Sequence, residues 1–352
     1  MDFHKIDADA FTEEDLYKAH LKDVAIQNKH GLLYKKYYLN LQQKTAFCLI
    51  ESPSRGACIE SHLEAHGIGA CHVIEVSKEH EFLPFLGEGS QNDNDLALTL
   101  AGEIDSGYRT IMLVDCLRLT AKSPELDTWI AGTIKKHKGS KIKLPSFKVM
   151  ASFINADDAI NCALDVEQHL LSYGNNLVYG IALATGKPVD EHKNSLFANT
   201  EEKLKVLALF GFQREIYMDM ETKLAATRFQ ESPKMQGQCI RVFDQATYQE
   251  LQNLEFVLSK NLSNPNFTAT SLVKTLGWSR SQAYRKITSN TGVAPKQLIS
   301  GLRMIYAAKA LRKGNRSISE VAYDMGFNSP TYFTRAFRKW FNILPSSVIQ
   351  HP

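Results

Sequence analysis

Cysteine is sparse in this sequence. The six cysteines, at 48, 58, 71, 116, 162 and 239, form no Cys-x-x-Cys pair. That spacing argues against a disulfide framework and a cysteine-rich zinc cluster, and it fits a reducing cytoplasm. No run of 18 apolar residues occurs, so no segment reads as a transmembrane helix and no membrane partner is expected. The opening MDFHKIDADAF is mixed and acidic, unlike a secretory signal peptide. Net charge is nearly missing too, at +3 over 352 residues. The length suggests two or three domains.

The small net charge conceals an imbalance. Residues 245–352 carry 14 Lys/Arg and 4 Asp/Glu, a surplus of +10, whereas residues 1–244 carry 27 and 34, or −7. A basic unit behind an acidic body suggests a polyanion-binding module attached to something else. Seven of the eleven histidines (4, 20, 30, 62, 66, 72 and 80) fall in the first 80 residues.

The basic end reads as helices in a repeated arrangement. Thr268–Gly277 is a short helix stopped by glycine, Trp278-Ser279 a turn, and Arg280–Asn290 a second helix that Ser279 caps. The order recurs: Ser317–Gly326, the turn Phe327-Asn328-Ser329, then Pro330–Phe341. Arg285 and Arg335 stand 50 residues apart, as do Pro295 and Pro345, which marks an internal repeat. Helix Pro295–Leu311 connects the units. Leu272, Leu276, Ala283 and Ile287 fit a buried face in the first unit, and Val321, Ala322, Phe333 and Phe337 in the second. This leaves Ser281, Tyr284 and Arg285, and Thr331, Thr334 and Arg335, on protruding faces suited to a major groove. Arg280, Lys286, Arg338 and Lys339 flank them and suit phosphates. A plain helical bundle with a solvated basic face is the alternative.

The stretch Ser317-Ile-x-x-Val-Ala-x-x-x-Gly-Phe-x-Ser-x-x-Tyr-Phe-x-Arg-x-Phe-Arg-Lys-x-Phe-x-x-x-Pro345, with Arg303 and Ala307-Ala-Lys-Ala-Leu311 ahead of it, resembles the DNA-binding domain of AraC/XylS transcription regulators. The resemblance covers about 100 residues. It implies two recognition helices, with Ser281, Tyr284 and Arg285 acting in the first and Pro330, Thr331 and Arg335 in the second. Ala283 departs from the larger apolar residue usual there.

Residues 1–80 read β-α-β-β-α-β, the order of a ferredoxin-like sandwich. His62 and His66 are spaced i,i+4 and share a helix face, which suits two imidazoles on one transition metal. His20 and Cys48 lie where they can converge on that side; surface histidines on an amphipathic helix are the simpler reading. The run Cys48-Leu-Ile-Glu51-x-Pro53…His62-Leu-Glu-Ala-His66-Gly67…Ile74-Glu-Val76, with Asp23-x-x-x-Gln27-x-Lys29-x-Gly31, resembles a small ferredoxin-like family that includes nickel-binding proteins. The resemblance implies His20, Cys48, His62 and His66 as ligands, with Tyr37 a weaker candidate.

Residues 81–104 are polar and glycine-containing and read as a linker. From 105 to 235 strands and helices alternate. Arg109-Thr-Ile-Met-Leu-Val-Asp115, Val149-Met-Ala-Ser-Phe and Leu183-Ala-Thr-Gly186-Lys-Pro-Val189 resemble class III nucleotidyl cyclase domains. That chemistry needs two metal carboxylates. Asp115 matches the first, but Phe147 stands where the second belongs, and Asn199-Thr200 lacks the nearby arginine. The resemblance therefore implies a catalytically degraded domain that dimerises or carries a signal.

The expectation is a multidomain α+β protein: a ferredoxin-like metal-binding domain (1–80), a linker (81–104), a cyclase-like α/β domain (105–235) and an all-α double helix-turn-helix domain (245–352). It is expected to be a cytoplasmic transcription regulator, not an enzyme. Its expected partners are a double-stranded DNA operator, a second copy of itself and RNA polymerase, and its expected cofactor is nickel or another divalent transition metal. The alternatives are a regulator sensing a nucleotide or other small organic ligand, and an active cyclase fused to a DNA-binding module.

Overall fold

The computed structural model describes residues 1–6, 11–67, 69–76, 83–119, 124–142, 144, 148–174, 177–213, 215–227 and 240–348. The front elements are β1 (Asp2–Lys5), α1 (Glu13–Ile26), β2 (Leu33–Asn40), β3 (Thr45–Glu51), α2 (Arg55–His66) and β4 (His72–Val73). Local chemistry sets the helix ends. Thr12 and Asp15 form a reciprocal capping box at α1, and Ser54 caps α2. The sheet order is β2-β3-β1-β4, all antiparallel, as a ferredoxin-like sandwich requires. β4 ends at Val73, short of the expected Val76.

Next come α3 (Leu83–Leu86), β5 (Ser90–Gln91) and β6 (Ala97–Leu98). This stretch was expected as a linker because it is polar, yet its few apolar residues are packed. Phe85, Leu86, Leu96 and Ala97 are buried, and the Phe85 carbonyl accepts a bond from Ser152 Oγ at 2.7 Å. The Leu86 carbonyl takes one from Arg109 Nη2 at 2.6 Å.

The second sheet uses β7 (Arg109–Arg118), α4 (Pro124–Lys136), β8 (Ser140–Ile142), β9 (Lys148–Phe153), α5 (Ala156–Leu171), β10 (Leu177–Gly186), α6 (Ala198–Phe210), β11 (Ile216–Asp219), α7 (Met220–Ala225) and β12 (Ile240–Phe243). Its order is β12-β11-β10-β7-β9-β8. β11 and β12 run parallel to β10, and the other neighbours are antiparallel. The portion β10-β7-β9-β8 winds as the front sheet does. β12 carries this sheet past residue 235; four residues are too short a strand to read from sequence pattern.

The central strand β7 is covered on both faces, and its side chains alternate between two cores. Met112 and Val114 join the layer of α4 and α5. Ile111 and Leu113 join an apolar cluster that also contains Phe3 and Phe47 of the front sheet and Leu251, Leu272 and Leu298 of the helical end. One core therefore runs through all three regions. Gly180 permits close approach of α6 to β10, since a Cβ there would lie 2.1 Å from the Ala208 carbonyl oxygen.

The C-terminal helices are α8 (Gln245–Asn261), α9 (Ala269–Thr275), α10 (Arg280–Thr291), α11 (Pro295–Arg312), α12 (Ile318–Asp324) and α13 (Pro330–Phe341). The repeat is visible as two pairs, each a 7-residue helix followed by a 12-residue one. Gly326 turns α12 toward α13 at φ 74°, and a Cβ there would stand 2.7 Å from the Leu262 carbonyl oxygen. Leu117 and Leu119, beyond the middle of β7, pack with Leu311, Phe333 and Phe337 of the second pair.

Candidate functional site

The two second helices present their polar faces outward. In α10, Ala283 and Ile287 are buried while Arg280, Ser281, Tyr284 and Arg285 are exposed. In α13, Phe333, Phe337 and Phe341 are buried and Thr331, Tyr332, Arg335, Arg338 and Lys339 are exposed. Ser279 caps α10 in a box with Gln282, and Ser329 caps α13. Both helices therefore begin firmly at the end that meets base edges in such motifs. Pro330 is half-buried at the start of α13. Thr334 is also half-buried, and its hydroxyl donates to the Pro330 carbonyl at 2.9 Å. Lys286, expected at a phosphate, instead pairs with Glu250 and lies over the Trp278 ring. Tyr332 is an exposed ring on this face that the residue expectation omitted; its one-position offset from Phe333 on α13 was the available signal.

The connecting helix α11 is anchored at its middle and near its C-terminal end. Arg303 donates to the carbonyls of Leu262 (2.9 Å) and Asn264 (2.7 Å). Lys309 Nζ meets Asp115 Oδ2 at 2.7 Å, and Lys148 Nζ stands 3.9 Å from the same oxygen. Asp115, the carboxylate at the cyclase metal position, is thus engaged by two ammonium groups. Phe147, at the other metal position, lies outside the described residues. Asn199 donates its backbone N–H to Asp190 at 3.1 Å, and Thr200 is buried against Gly186.

The front domain holds a chain of buried donors and acceptors. His62, fully buried, donates through Nε2 to Asp2 Oδ2 at 2.6 Å and through Nδ1 to Asp23 Oδ1 at 3.1 Å. His66 Nε2 reaches the same Asp23 oxygen at 2.9 Å. Burial works against a charge on His62, but the two carboxylates outweigh it and push its pKa up to about 12. Burial likewise opposes charge on Asp2, yet His4 and His62 hold its carboxyl far below the usual range. Burial pushes the thiols of Cys48 and Cys58 upward.

Among the described residues three donor sets have ligand atoms within 4.8 Å of one another: Asp2-His4-Cys48, Asp2-Cys58-His62 and Asp23-His62-His66. The structure therefore brings His62 and His66 together and places Cys48 beside Asp2. His20 joins none of these sets among the described residues: its Nε2 meets Asp95 Oδ2 at 3.1 Å. The Tyr37 ring lies 4.8 Å from that of His20, and both the Tyr37 hydroxyl and His20 Nδ1 are buried without a partner among the described residues. The sequence expectation omitted Asp2, His4, Asp23 and Cys58. Asp23 was the most findable, standing three residues after His20 on the same helix.

Residues 272–351 match a family described as a helix-turn-helix domain. Residues 1–76 match a family described as nickel responsive protein SCO4226-like. "Histidine kinase P4" of Formosa agariphila is 34% identical over 90 residues, 26% of this chain and 7% of that protein. "HTH-type transcriptional activator RhaS" of Salmonella arizonae is 34% identical over 67 residues, 19% of this chain and 24% of the relative. The chain thus spans under a quarter of the length of either. Among solved structures, the C-terminal domain of the response regulator AraT from Geobacillus stearothermophilus is 26% identical, covering 28% of this chain and 80% of that one at a TM-score of 0.26. The guanylate cyclase domain of RhGC from Catenaria anguillulae is 14% identical, covering 34% and 81% at a TM-score of 0.28. Among the described residues no helix is long and apolar enough to cross a membrane. The chain thus joins a front domain similar to a nickel-responsive protein family to a C-terminal domain similar to a helix-turn-helix family.

Proposed function

We propose that this protein is a DNA-binding transcription regulator of the AraC type whose front domain takes nickel or another divalent transition metal. The observation that carries the DNA reading is the pair of matched, capped helices, α10 and α13, each with an apolar face buried and a face of Arg, Tyr and Thr in solvent. Tyr284 and Arg285 read one groove segment, Thr331 and Arg335 the next, and Arg280, Arg338 and Lys339 hold phosphates. Two copies act on one duplex operator, and RNA polymerase is the further partner. The chemistry favours binding over catalysis: Asp115 is paired with Lys309 and Lys148.

The metal reading rests on the mixed carboxylate, imidazole and thiol donors gathered around Asp2 and His62, a set that suits a borderline ion. A bound ion would supply a positive charge to which these donors turn once His62 has lost its proton. Asp2 and Asp23 occupy both His62 nitrogens, so an ion bound by this ring takes the place of one of these bonds, and the carboxylate left on the other nitrogen orients it. A metal shifts operator affinity only as far as it binds two arrangements of the chain unequally.

The test has two readouts. Wild type and a His62→Ala/His66→Ala variant are dialysed against nickel, cobalt and zinc and analysed for metal; stoichiometric metal in the wild type alone is expected. Near-zero metal in both sinks the metal reading. Selection of bound duplexes from a random pool, with and without metal, tests the reader. Recovery of no preferred sequence under either condition sinks the regulator reading.

A further inference from the structure

The first recognition helix, α10, is tied at its far end to the middle sheet. The last carbonyls of a helix have no partner within it, and two of those in α10 are met by side chains of neighbouring strands. Tyr217 of β11 donates its hydroxyl to the Asn290 carbonyl at 2.9 Å. Arg241 of β12 donates through Nη1 to the Ser289 carbonyl at 2.6 Å. The two residues stand opposite each other in the parallel register of these strands, so they meet the helix side by side. Glu215 accepts from the Nε of Arg241 and from its Nη2, the latter at 2.9 Å. That two-pronged hold fixes the guanidinium, and its positive charge faces the negative end of the helix. α10 then stops at Gly292, where φ is 73°, and a Cβ there would stand 3.4 Å from Arg241 Nη2.

Given the DNA-reading role proposed for α10, we infer that Tyr217 and Arg241 are positioning residues for sequence recognition. They set the angle at which α10 enters the groove, and through it the bases that Ser281, Tyr284 and Arg285 reach. A helix of 12 residues is about 18 Å long, so a tilt of about 10° at the tied end carries the reading end about 3 Å. Contacts to a base edge tolerate far less, since hydrogen bonds keep within about 2.7–3.2 Å. Neither residue needs to touch DNA for this. Tyr217 is fully buried, and Arg241 has all three side-chain nitrogens engaged by Glu215 and Ser289. The second recognition helix, α13, meets the sheet through the apolar contacts of Leu117 and Leu119 with Phe333 and Phe337, so the polar tie governs the first base segment. The middle sheet thereby contributes to the choice of operator from outside the interface.

Selection of bound duplexes by the full chain tests the inference. Arg285→Ala and Arg335→Ala first assign the base pairs that α10 and α13 read. The test variant is Tyr217→Phe/Arg241→Met, with Tyr217→Phe alone beside it, since that change deletes one hydroxyl and keeps the ring. Lys309→Met, which cuts a tie elsewhere on the sheet, is the control. Preference at the α10 segment is expected to fall about fivefold or more in the double variant and in the same direction in Tyr217→Phe. The α13 segment should stay intact, which also shows that the variants are folded, and the control should keep both. An unchanged α10 segment, or an equal loss in both segments, would overturn the inference while leaving the reader standing. So would a uniform loss of affinity with a smaller salt slope, which would make Arg241 a phosphate contact. A wild type that selects no sequence removes the reader itself, and the inference with it.

Discussion

Replacing Asp115 by Asn removes the carboxylate that ties the middle sheet to α11 across 194 residues of sequence. The pair is close, at 2.7 Å, and largely shielded, with the aspartate 15% and the lysine 26% exposed. A hydrogen bond to a charged group contributes about 1.5–3 kcal/mol when well shielded, whereas an exposed ion pair contributes about 0.2–1 kcal/mol. The quarter of Lys309 left in water places this pair between the two, at about 1–2 kcal/mol. Asp115→Asn alone overstates the pair, because it also leaves Lys309 and Lys148 facing each other without their shared partner. A double-mutant cycle with Lys309→Met separates the pairwise part. Urea unfolding can be followed through Trp129 in α4 and through Trp278 and Trp340 in the helical unit. A coupling energy within about 0.3 kcal/mol of zero, the usual margin of additivity, would refute the tie. The same variant bears on catalysis. Incubation with ATP or GTP and manganese should give no cyclic product, and turnover abolished by Asp115→Asn would overturn the structural role assigned to this carboxylate.

Other perturbations have equally definite outcomes. Arg109 is fully buried and donates to both Asp105 oxygens at 2.7–2.8 Å; Arg109→Ala strands that carboxylate and should cost about 3–5 kcal/mol in urea unfolding, while a loss below about 1 kcal/mol would contradict the pairing. Arg335→Ala should cost about 1–3 kcal/mol on the selected operator and relax preference at one base pair; unchanged preference would misplace the recognition face. Lys339→Ala should weaken all duplexes alike and lower the salt slope by about one unit; a sequence-selective loss would contradict a phosphate role. Nickel affinity should rise with pH between 6 and 9, because His62 is held protonated by its carboxylates and burial keeps the Cys58 thiol protonated. A flat pH profile in competition titrations would exclude these two as donors.

The helical end was the most legible part because its signals are local. Thr268, Ser279, Ser317 and Ser329 each cap the helix that follows, and the apolar spacing in α13 places Phe333 and Phe337 inward without reference to any other part of the chain. The front sheet was legible as an order of elements, though its acid partners were not. Asp2 meets His62 across 60 residues, and Asp23 meets it across 39, distances at which sequence spacing carries no signal. The stretch 81–104 misled through composition: its polar residues outnumber the four apolar ones that fix it to the sheet. The Lys309–Asp115 tie joins parts of the chain that no local pattern relates.

The junction at Asp244 has a practical side. β12 ends at Phe243, α8 begins at Gln245, and Asp244 alone stands between them, capping α8 through Thr247. Tyr248, Leu251, Leu254 and Leu258 of α8 then enter the core that reaches Phe3. Transplanting the reader as a cassette severed at 245 would strip α8 of its cap and bare its apolar side. A graft that starts after α8 would leave the same stripe uncovered on the donor. An exchangeable reader from this protein must therefore bring α8 and its cap with it, and its new host must offer an apolar surface to receive them.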